Sequence, residues 1–372
     1  MTVPTFLIGL GGIGSRVVDR LYDMVPEHRR PWIAVHAIDT NINDISRLGH
    51  IRAEQVTQIS DRMTVGEYLD ALRRSGEQTT VAQWFPENVP GSIKMTDGAG
   101  QTRAVARLAY HATLRRDRGF PKLEKQIDHL FRVEGSERVT SVRVIIVCSI
   151  GGGTGAGTFL QTARYVRDLI KEKQGASNIL VRGMFMLPSV TRLFNQKVSD
   201  GRRMSANGYA CLKELNALFM SERDATGRRV RPTIELEYRP GQGLDAEGRI
   251  NLAIPADPPI YDFCFLQDAH NIDGKTLGSG DYYEAQLVRS LYMQLFSPVA
   301  EDNFSQEDNV ISTLIGGRQN ARFCASGTAS AVYPYGALLD YFALRSANQA
   351  LDDEWLTLDD SYRDAQRHFE DG

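Results

Sequence analysis

Short runs of β-branched and aliphatic residues alternate along the chain with amphipathic stretches, the rhythm of a parallel sheet wound with helices. Phe6, Leu7 and Ile8 form the first apolar run and lead into Gly9-Leu10-Gly11-Gly12-Ile13-Gly14, after which Ile13, Val17 and Leu21 recur at helical steps. Residues 32–38 (WIAVHAI) predict a second strand that ends at Asp39-Thr40-Asn41. Residues 142–150 (VRVIIVCSI) predict a strand buried on both faces, because such a strand reads as a continuous apolar run rather than an alternation. Phe159, Ala163, Val166 and Ile170 mark the helix that follows it. Residues 179–187 (ILVRGMFML) and 260–266 (IYDFCFL) predict two more strands of the main sheet. Between them Tyr209, Leu212, Leu215 and Phe219 share one helical face. Leu287, Leu291 and Leu295 predict a long helix over 281–296, followed by a strand-like run over 321–333 and a C-terminal helix from about Tyr335.

Two stretches break the rhythm. Residues 44–95 are poorly patterned apart from a short helix around Tyr68–Leu72, and a third glycine turn, Asp97-Gly98-Ala99-Gly100-Gln101, precedes a helix carrying Val105, Leu108, Ala109 and Ala112. Residues 221–259 are rich in Arg, Gly, Pro and Asp. There Ile234, Leu236 and Tyr238 alternate, as do Ile250, Leu252 and Ile254, which predicts an inserted β-hairpin.

Composition narrows the class without naming a function. The 372 residues suggest two domains, or one large α/β unit with an appendage, and 42% hydrophobic with 24% charged residues is ordinary for a soluble globular protein. The net charge of −3 carries no nucleic-acid signature; Arg115, Arg116 and Arg118, and Arg228, Arg229 and Arg231, read as solvated loop or helix residues. Cys148, Cys211, Cys264 and Cys324 are far apart and the histidines are scattered, so buried thiols in a reducing compartment are expected, with no metal cluster. No apolar run approaches the ~18 residues of a membrane span, and no signal peptide is evident. These features make a cytoplasmic protein, without nucleic-acid or membrane partners, the expectation.

The chemistry concentrates at Gly151-Gly152-Gly153-Thr154-Gly155-Ala156-Gly157-Thr158, between a predicted strand and a predicted helix. Glycines let backbone approach phosphate oxygens, exposed N–H groups donate to them, and the helix dipole favours their charge. Thr154 and Thr158 add hydroxyls, while no Gly-Lys-Ser/Thr follows, so this is not a Walker A loop. A polyphosphate ligand is predicted. Taken alone, the first βαβ unit also fits a dinucleotide site, with Gly9, Gly11 and Gly14 in register and Asp39 about 25 residues beyond. That keeps an NAD-binding oxidoreductase open.

The octapeptide resembles the signature GGGTG(S/T/A)G of the tubulin/FtsZ GTPase family, and the order of glycine turns and the late long helix extend the resemblance over roughly residues 3–300. It is closest to divergent bacterial tubulin-like proteins, given the insertions at 44–95 and 221–259. The resemblance implies an α/β fold: a Rossmann-type parallel sheet flanked by helices, a long central helix and a reduced C-terminal domain. The implied boundaries are 1–280 for the nucleotide-binding domain, 281–297 for the central helix, and 298–372 for a short or truncated C-terminal domain. It further implies that Gly11, Gly12 and Gly14 form the first phosphate loop and that Gly98, Ala99 and Gly100 sense the terminal phosphate. Gly151, Gly152, Gly153, Thr154, Gly155, Ala156 and Gly157 would wrap the phosphates, with Asp39 and Asn41 near them and a magnesium ion. Asp200 and Arg203 match the ribose-side segment, with a helix cap and a solvated arginine as the alternative. At the base, Tyr282 or Tyr283 can stack, but Gln286 and Leu287 stand where the family has an edge-reading Asn or Asp, and Asn271 is another amide source. Guanine over adenine is therefore an expectation of the family.

Hydrolysis in this family uses acids from the loop after the central helix, inserted into the next subunit's site. The pattern Asn-x-Asp-x-x-Asp is read here as Asn303-Phe304-Ser305-Gln306-Glu307-Asp308, with Ser305 in place of the middle acid. Asp308 is the first candidate to orient water, with Glu307, Asp302 and Glu301 beside it. The resemblance thus implies GTP/GDP and magnesium as ligands and a GTPase that self-associates head to tail; separately, the 221–259 insert reads as a surface for other proteins or as a simply variable loop. A nucleotide-dependent switch or scaffold with little hydrolysis is the alternative.

Overall fold

The structure, a computed structural model, describes residues 3–75, 81–132, 141–175, 178–195, 197–219, 222–223, 229–230, 234–239, 253–254, 259–276, 278–297, 310–311, 313–315, 322–327 and 334–372. The strands are β1 (Thr5–Leu10), β2 (Ile33–Asp39), β3 (Val56–Gln58), β4 (Ser141–Ser149), β5 (Asn178–Met186), β6 (Glu222–Arg223), β7 (Arg229–Val230), β8 (Ile234–Glu235), β9 (Ala253–Ile254), β10 (Phe263–Gln267) and β11 (Phe323–Cys324). The helices of the same part of the chain are α1 (Gly11–Asp23), α2 (Ile42–Ile45), α3 (Val65–Arg74), α4 (Val81–Trp84), α5 (Arg103–Asp117), α6 (Pro121–Leu130), α7 (Thr154–Gln174), α8 (Pro188–Phe194), α9 (Val198–Phe219) and α10 (Gly280–Leu295).

Seven strands pair in the order β11-β10-β5-β4-β1-β2-β3, every pair parallel. The winding reverses between β1 and β4, so a crevice opens at the carboxyl ends of these two strands, where doubly wound sheets bind ligands. The apolar runs cover both faces. In β4, Val142, Val144, Ile146 and Cys148 enter one core with Tyr110, Leu123, Phe159 and Leu215 of α5, α6, α7 and α9. Ile145 and Val147 enter the other with Val17 and Leu21 of α1 and Leu287 and Leu291 of α10. A smaller core under α3 and α5 holds Val65, Tyr68, Met95, Val105 and Leu108.

The predicted Rossmann-type sheet and long helix are present, with local differences. β10 starts at Phe263 rather than Ile260, because Asp262 turns its carboxylate back onto Val181 N and Arg167. The glycine turn at 98–100 follows a single 3-10 turn, Met95–Asp97, not a strand. Of the run over 321–333, Phe323–Cys324 is strand; residues 321 and 328–333 lie outside the described residues. In the insertion Ile234 pairs with Ile254 and Glu222 with Val230, both antiparallel; Ile250 and Leu252 lie outside the described residues.

The chain divides into two compact units, Met1–Thr328 and Ala329–Gly372, so the central helix belongs to the first. The second unit holds helices at Tyr335–Ala350 and Leu358–Glu370 joined by a π-type turn, Leu351–Leu356.

Candidate functional site

A cleft of about 460 Å³ opens at the β1/β4 switch point. Its floor is backbone. Gly11 takes a φ of +72°, which a side chain would strain, and a Cβ at Gly153 would stand 2.8 Å from Ala99 Cβ. The loops carrying them therefore approach closer than side chains allow.

Three helices, α1, α5 and α7, begin at this floor. None of the three has an acidic residue in its first turn, and none has a side-chain cap at its N-terminus. By contrast, α3 and α10 are capped by Thr64 and Ser279. The first turn of a helix leaves N–H groups without intrahelical partners, and its dipole draws negative charge. Three uncapped, acid-free N-termini at one cleft have the chemistry to accept the oxygens of an anion such as phosphate.

One hydrogen-bonded chain ties the loops together. Ala99 N donates to Thr40 Oγ1 (3.0 Å), which lies 2.9 Å from Thr154 Oγ1, and Thr154 Oγ1 donates to Asp39 Oδ1 (2.9 Å). Thr40 N donates to the same carboxylate oxygen at 2.7 Å. Asp39 is only 2% exposed, and its Oδ2 is buried without a hydrogen-bond partner. Burial pushes its carboxyl up to about 6; the Thr154 bond opposes that rise and the neighbouring Asp44 adds to it.

The cleft is acidic. Among the described residues, Asp39, Asp44, Asp97 and Asp200 line it against one cation, Arg16, whose Nε is bonded to Glu284 Oε2 at 2.9 Å. An anion held by the helix N-termini therefore needs a further positive charge. The partnerless Asp39 Oδ2 beside Asp44 offers the kind of oxygen donors that a hard divalent cation keeping several waters would take. Among the described residues no three His, Cys, Asp or Glu side chains converge as a full protein cage.

Of the residues singled out in the sequence, Gly11, Gly12, Asp39, Asn41, Gly98, Ala99, Gly100, Gly152, Gly153, Thr154, Gly155 and Asp200 line the cleft. Others serve as packing. A Cβ at Gly14 would lie 2.2 Å from Val147 O, and one at Gly157 2.4 Å from Arg103 O, so these glycines let α1 and α7 close onto their neighbours. Gly151 is packed against Thr191 and Ala156 belongs to the core.

At the base end the expected groups are elsewhere. Tyr283 is buried in the core beneath α10, which removes its ring from stacking. Tyr282 is half exposed, Gln286 is partly buried and Arg203 is exposed, and none of the three lines the cleft. Asn271 spends its side-chain oxygen on its own turn, accepting from Asp273 N (3.0 Å) and Lys275 N (2.9 Å). Asp200 lines the cleft and accepts from Asn195 Nδ2 at 3.0 Å. Asp302, Glu307 and Asp308, with Glu301, lie outside the described residues.

Several lining residues were not singled out beforehand: Arg16, Thr40, Asp44, Gln101, Phe194 and Asn195. Thr40 could have been found, as the residue between two candidates. Phe194 carried no signal, being one aromatic ring in a polar stretch that folds over the cleft only through α8.

A doubly wound sheet with a glycine floor at its switch point makes this a Rossmann-type protein. The family model described as tubulin-like matches residues 6–352, and the chain belongs to that family. Similar solved structures include CetZ1 from Haloferax volcanii as a GDP-bound monomer, 15% identical over 85% of this chain and 65% of that one, with a TM-score of 0.43. CetZ2 from the same organism, a GTPγS-bound protofilament, is 15% identical over 85% and 64%, with a TM-score of 0.45. A GTPγS-form protofilament of TubZ from Bacillus thuringiensis serovar israelensis is 14% identical over 80% and 57%, with a TM-score of 0.42. The chain thus spans less than two thirds of the length of these three proteins. Among curated proteins none matches the sequence.

Proposed function

We propose that the cleft binds GTP with a magnesium ion and that the chain hydrolyses the nucleotide when copies associate head to tail. The observation that carries this reading is the convergence of three uncapped, acid-free helix N-termini on a cleft whose buried Asp39 has an unpartnered oxygen. The backbone of Gly11–Gly12, Gly98–Gly100 and Gly152–Gly155 holds the phosphates, and Asp39 and Asp44, with Asn41 beside them, hold the cation. A magnesium ion bound there would neutralise charge on the phosphate oxygens, which phosphoryl transfer needs alongside positioning. Asp200 and Asn195 face the sugar. Membership of the tubulin-like family supports guanine as the base and self-association as the context. A head-to-tail contact that does not close builds a filament.

The acids that would orient water, Asp308 with Glu307 and Asp302, come from the neighbouring subunit in this reading. Ser305 in place of the middle acid favours a second reading, a nucleotide-dependent switch or scaffold with little turnover. The NAD reading loses its acid: Asp39 faces Thr154 and Thr40 rather than standing free at the strand tip for a ribose. The insert at 221–259 is a surface for other proteins. A reducing, cytoplasmic setting agrees with four cysteines of which none forms a disulfide. No helix among the described residues is long and apolar enough to cross a membrane.

The test is nucleotide turnover over a range of protein concentrations, with GTP and ATP in parallel and light scattering alongside. GTP turnover per subunit that rises with concentration and with scattering supports hydrolysis at a shared site. Tight GTP binding with flat, negligible turnover selects the switch.

A further inference from the structure

We propose that Arg16 reads the purine edge of the bound nucleotide and selects guanine over adenine. The assignment rests on the nucleotide reading above and deepens it.

The position of Arg16 sets it apart from the phosphates. It lies on α1 five residues past Gly11, about 7.5 Å along the helix axis from the N-terminus at a rise of about 1.5 Å per residue. It forms the cleft wall together with Phe194. Its charge is already committed. Glu284 of α10, with no exposed surface, accepts from Arg16 Nε at 2.9 Å and lies 3.0 Å from Arg20 Nε. A buried carboxylate on one side and the Phe194 ring 5.2 Å away on another fix the plane of the guanidinium.

A guanidinium so held is a fork of donors with no acceptor. With Nε bonded to Glu284, the two terminal nitrogens remain as a donor pair. Guanine presents two acceptors on one edge, O6 and N7, which such a pair satisfies together. Adenine presents N7 beside the donor N6, so the second N–H of Arg16 would face another donor and lose its partner. The side chains expected to read the base do not compete: Tyr283 is in the core and Asn271 is occupied by its own turn. Glu284 touches no nucleotide in this arrangement and is a positioning residue.

The test is equilibrium binding of four nucleotides, GTP, ATP, ITP and 7-deaza-GTP, to the full chain with magnesium and to its Arg16→Ala and Arg16→Lys variants. ITP keeps O6 and N7 and lacks only the 2-amino group, so it should bind within about threefold of GTP, whereas 7-deaza-GTP, without N7, should bind several-fold more weakly. Arg16→Ala should weaken GTP roughly 5- to 150-fold and leave ATP within about threefold, removing the preference. Arg16→Lys should restore little of it, since a lysine is not a planar fork.

GTP and ATP falling together in Arg16→Ala would mean a phosphate or structural role and overturn the assignment. So would 7-deaza-GTP binding as well as GTP, or GTP showing no advantage over ATP in the unaltered chain. Thermal unfolding of each variant is measured alongside; if Arg16→Ala does not fold, the ITP and 7-deaza-GTP pair on the unaltered chain decides. Failure of every nucleotide to bind that chain instead overturns the nucleotide reading, and this assignment with it.

Discussion

In the proposed nucleotide site, the two ends of the cleft are built from different material. The phosphate end is backbone: glycine turns, three helix N-termini without caps, and one carboxylate held by hydroxyls and an amide. The base end is side chains, with Arg16 from α1, Glu284 from α10 and Phe194 from α8, brought together across the sequence. A backbone site is specified where the chain turns and tolerates little change, since its residues are chosen by what cannot fit. A side-chain site is specified by contacts between distant elements and can be retuned one residue at a time. Substitutions at the first should therefore cost folding and binding together, and at the second selectivity with little cost to the fold.

The largest effect expected is at Gly14. A methyl group there would lie 2.2 Å from Val147 O, which belongs to the central strand and cannot yield without moving β4. Gly14→Ala should destabilise the chain by about 3 kcal/mol, the upper part of the range for overpacking. Chemical denaturation measures it. A loss near zero would mean that α1 can lift from the sheet, and the rigid-floor picture would fail.

Asp39 is the buried carboxylate at the centre of the phosphate end, so Asp39→Asn asks how much of that end rests on its charge. Asp39→Asn should weaken GTP binding in magnesium about 100-fold, from loss of a charged ligand with its partner cation left in place. The bare chain should move the other way. Its carboxyl is raised from 3.8 to about 6, so the stability associated with it is present below 3.8 and lost as pH rises through about 6. An amide never ionises, and at pH 7 the bare variant should be about 1–3 kcal/mol more stable, part of the gain being offset by a buried N–H without an acceptor. Magnesium dependence that survives in Asp39→Asn would sink the cation assignment.

The contrast also explains what could be read in the sequence. The floor was legible because its constraint is local: GGGTGAG, GLGGIG and DGAGQ need only their neighbours to declare a turn into a helix, and the continuous apolar run of β4 declares a two-sided strand. The central helix was placed to within one residue, from Leu287, Leu291 and Leu295. Within the motifs, however, spacing could not separate Gly12, which faces the cleft, from Gly14, which faces Val147, because both are glycine for steric reasons. The base end was not legible. Tyr283 looked available until α10 was laid on the sheet, and nothing near Arg16 in the sequence marked it, because its partner Glu284 comes from far along the chain.

His36 tests whether the strand under the phosphate end carries its own cost. It is fully buried three residues before Asp39, with Nε2 2.8 Å from Thr57 Oγ1, and burial first, then Lys122, pushes its pKa down from 6.5 to about 3. The folded chain keeps it neutral while the unfolded chain takes up a proton below 6.5. Stability is thus present above 6.5 and falls as pH drops toward 3, by about 1.4 kcal/mol per pH unit, or about 2 kcal/mol at pH 5. Asp39 works the other way over pH 7 to 5, so the loss is read as the difference between the chain and its His36→Gln variant in denaturation series at the two pH values, where the Asp39 contribution cancels. The ratio of GTP to ATP affinity should stay level over the same interval, since His36 pairs with Thr57 and touches neither Arg16 nor Phe194.

The smallest effect sharpens the comparison most. Phe194 touches both components of the base end: its ring lies 5.2 Å from the Arg16 guanidinium, and a Cβ at Gly280, where α10 begins, would meet it at 2.8 Å. It is only partly buried, so Phe194→Ala should cost the fold about 1 kcal/mol, less than the 3–5 kcal/mol of a core phenylalanine. Without the ring, Arg16 keeps its bond to Glu284 but loses a cation–π contact of about 0.5–1 kcal/mol and the surface that fixes its plane. The preference for GTP over ATP should then shrink by about two- to fivefold, with phosphate-dependent affinity, read from inorganic triphosphate competition, unchanged. Phe194→Leu keeps the apolar cover without the ring face. If it behaves as the unaltered chain, the ring acts as filler, and Glu284 alone orients the guanidinium. If it behaves as Phe194→Ala, the plane of Arg16 is set from two sides, and selectivity at this end is a property of three elements meeting rather than of any one residue.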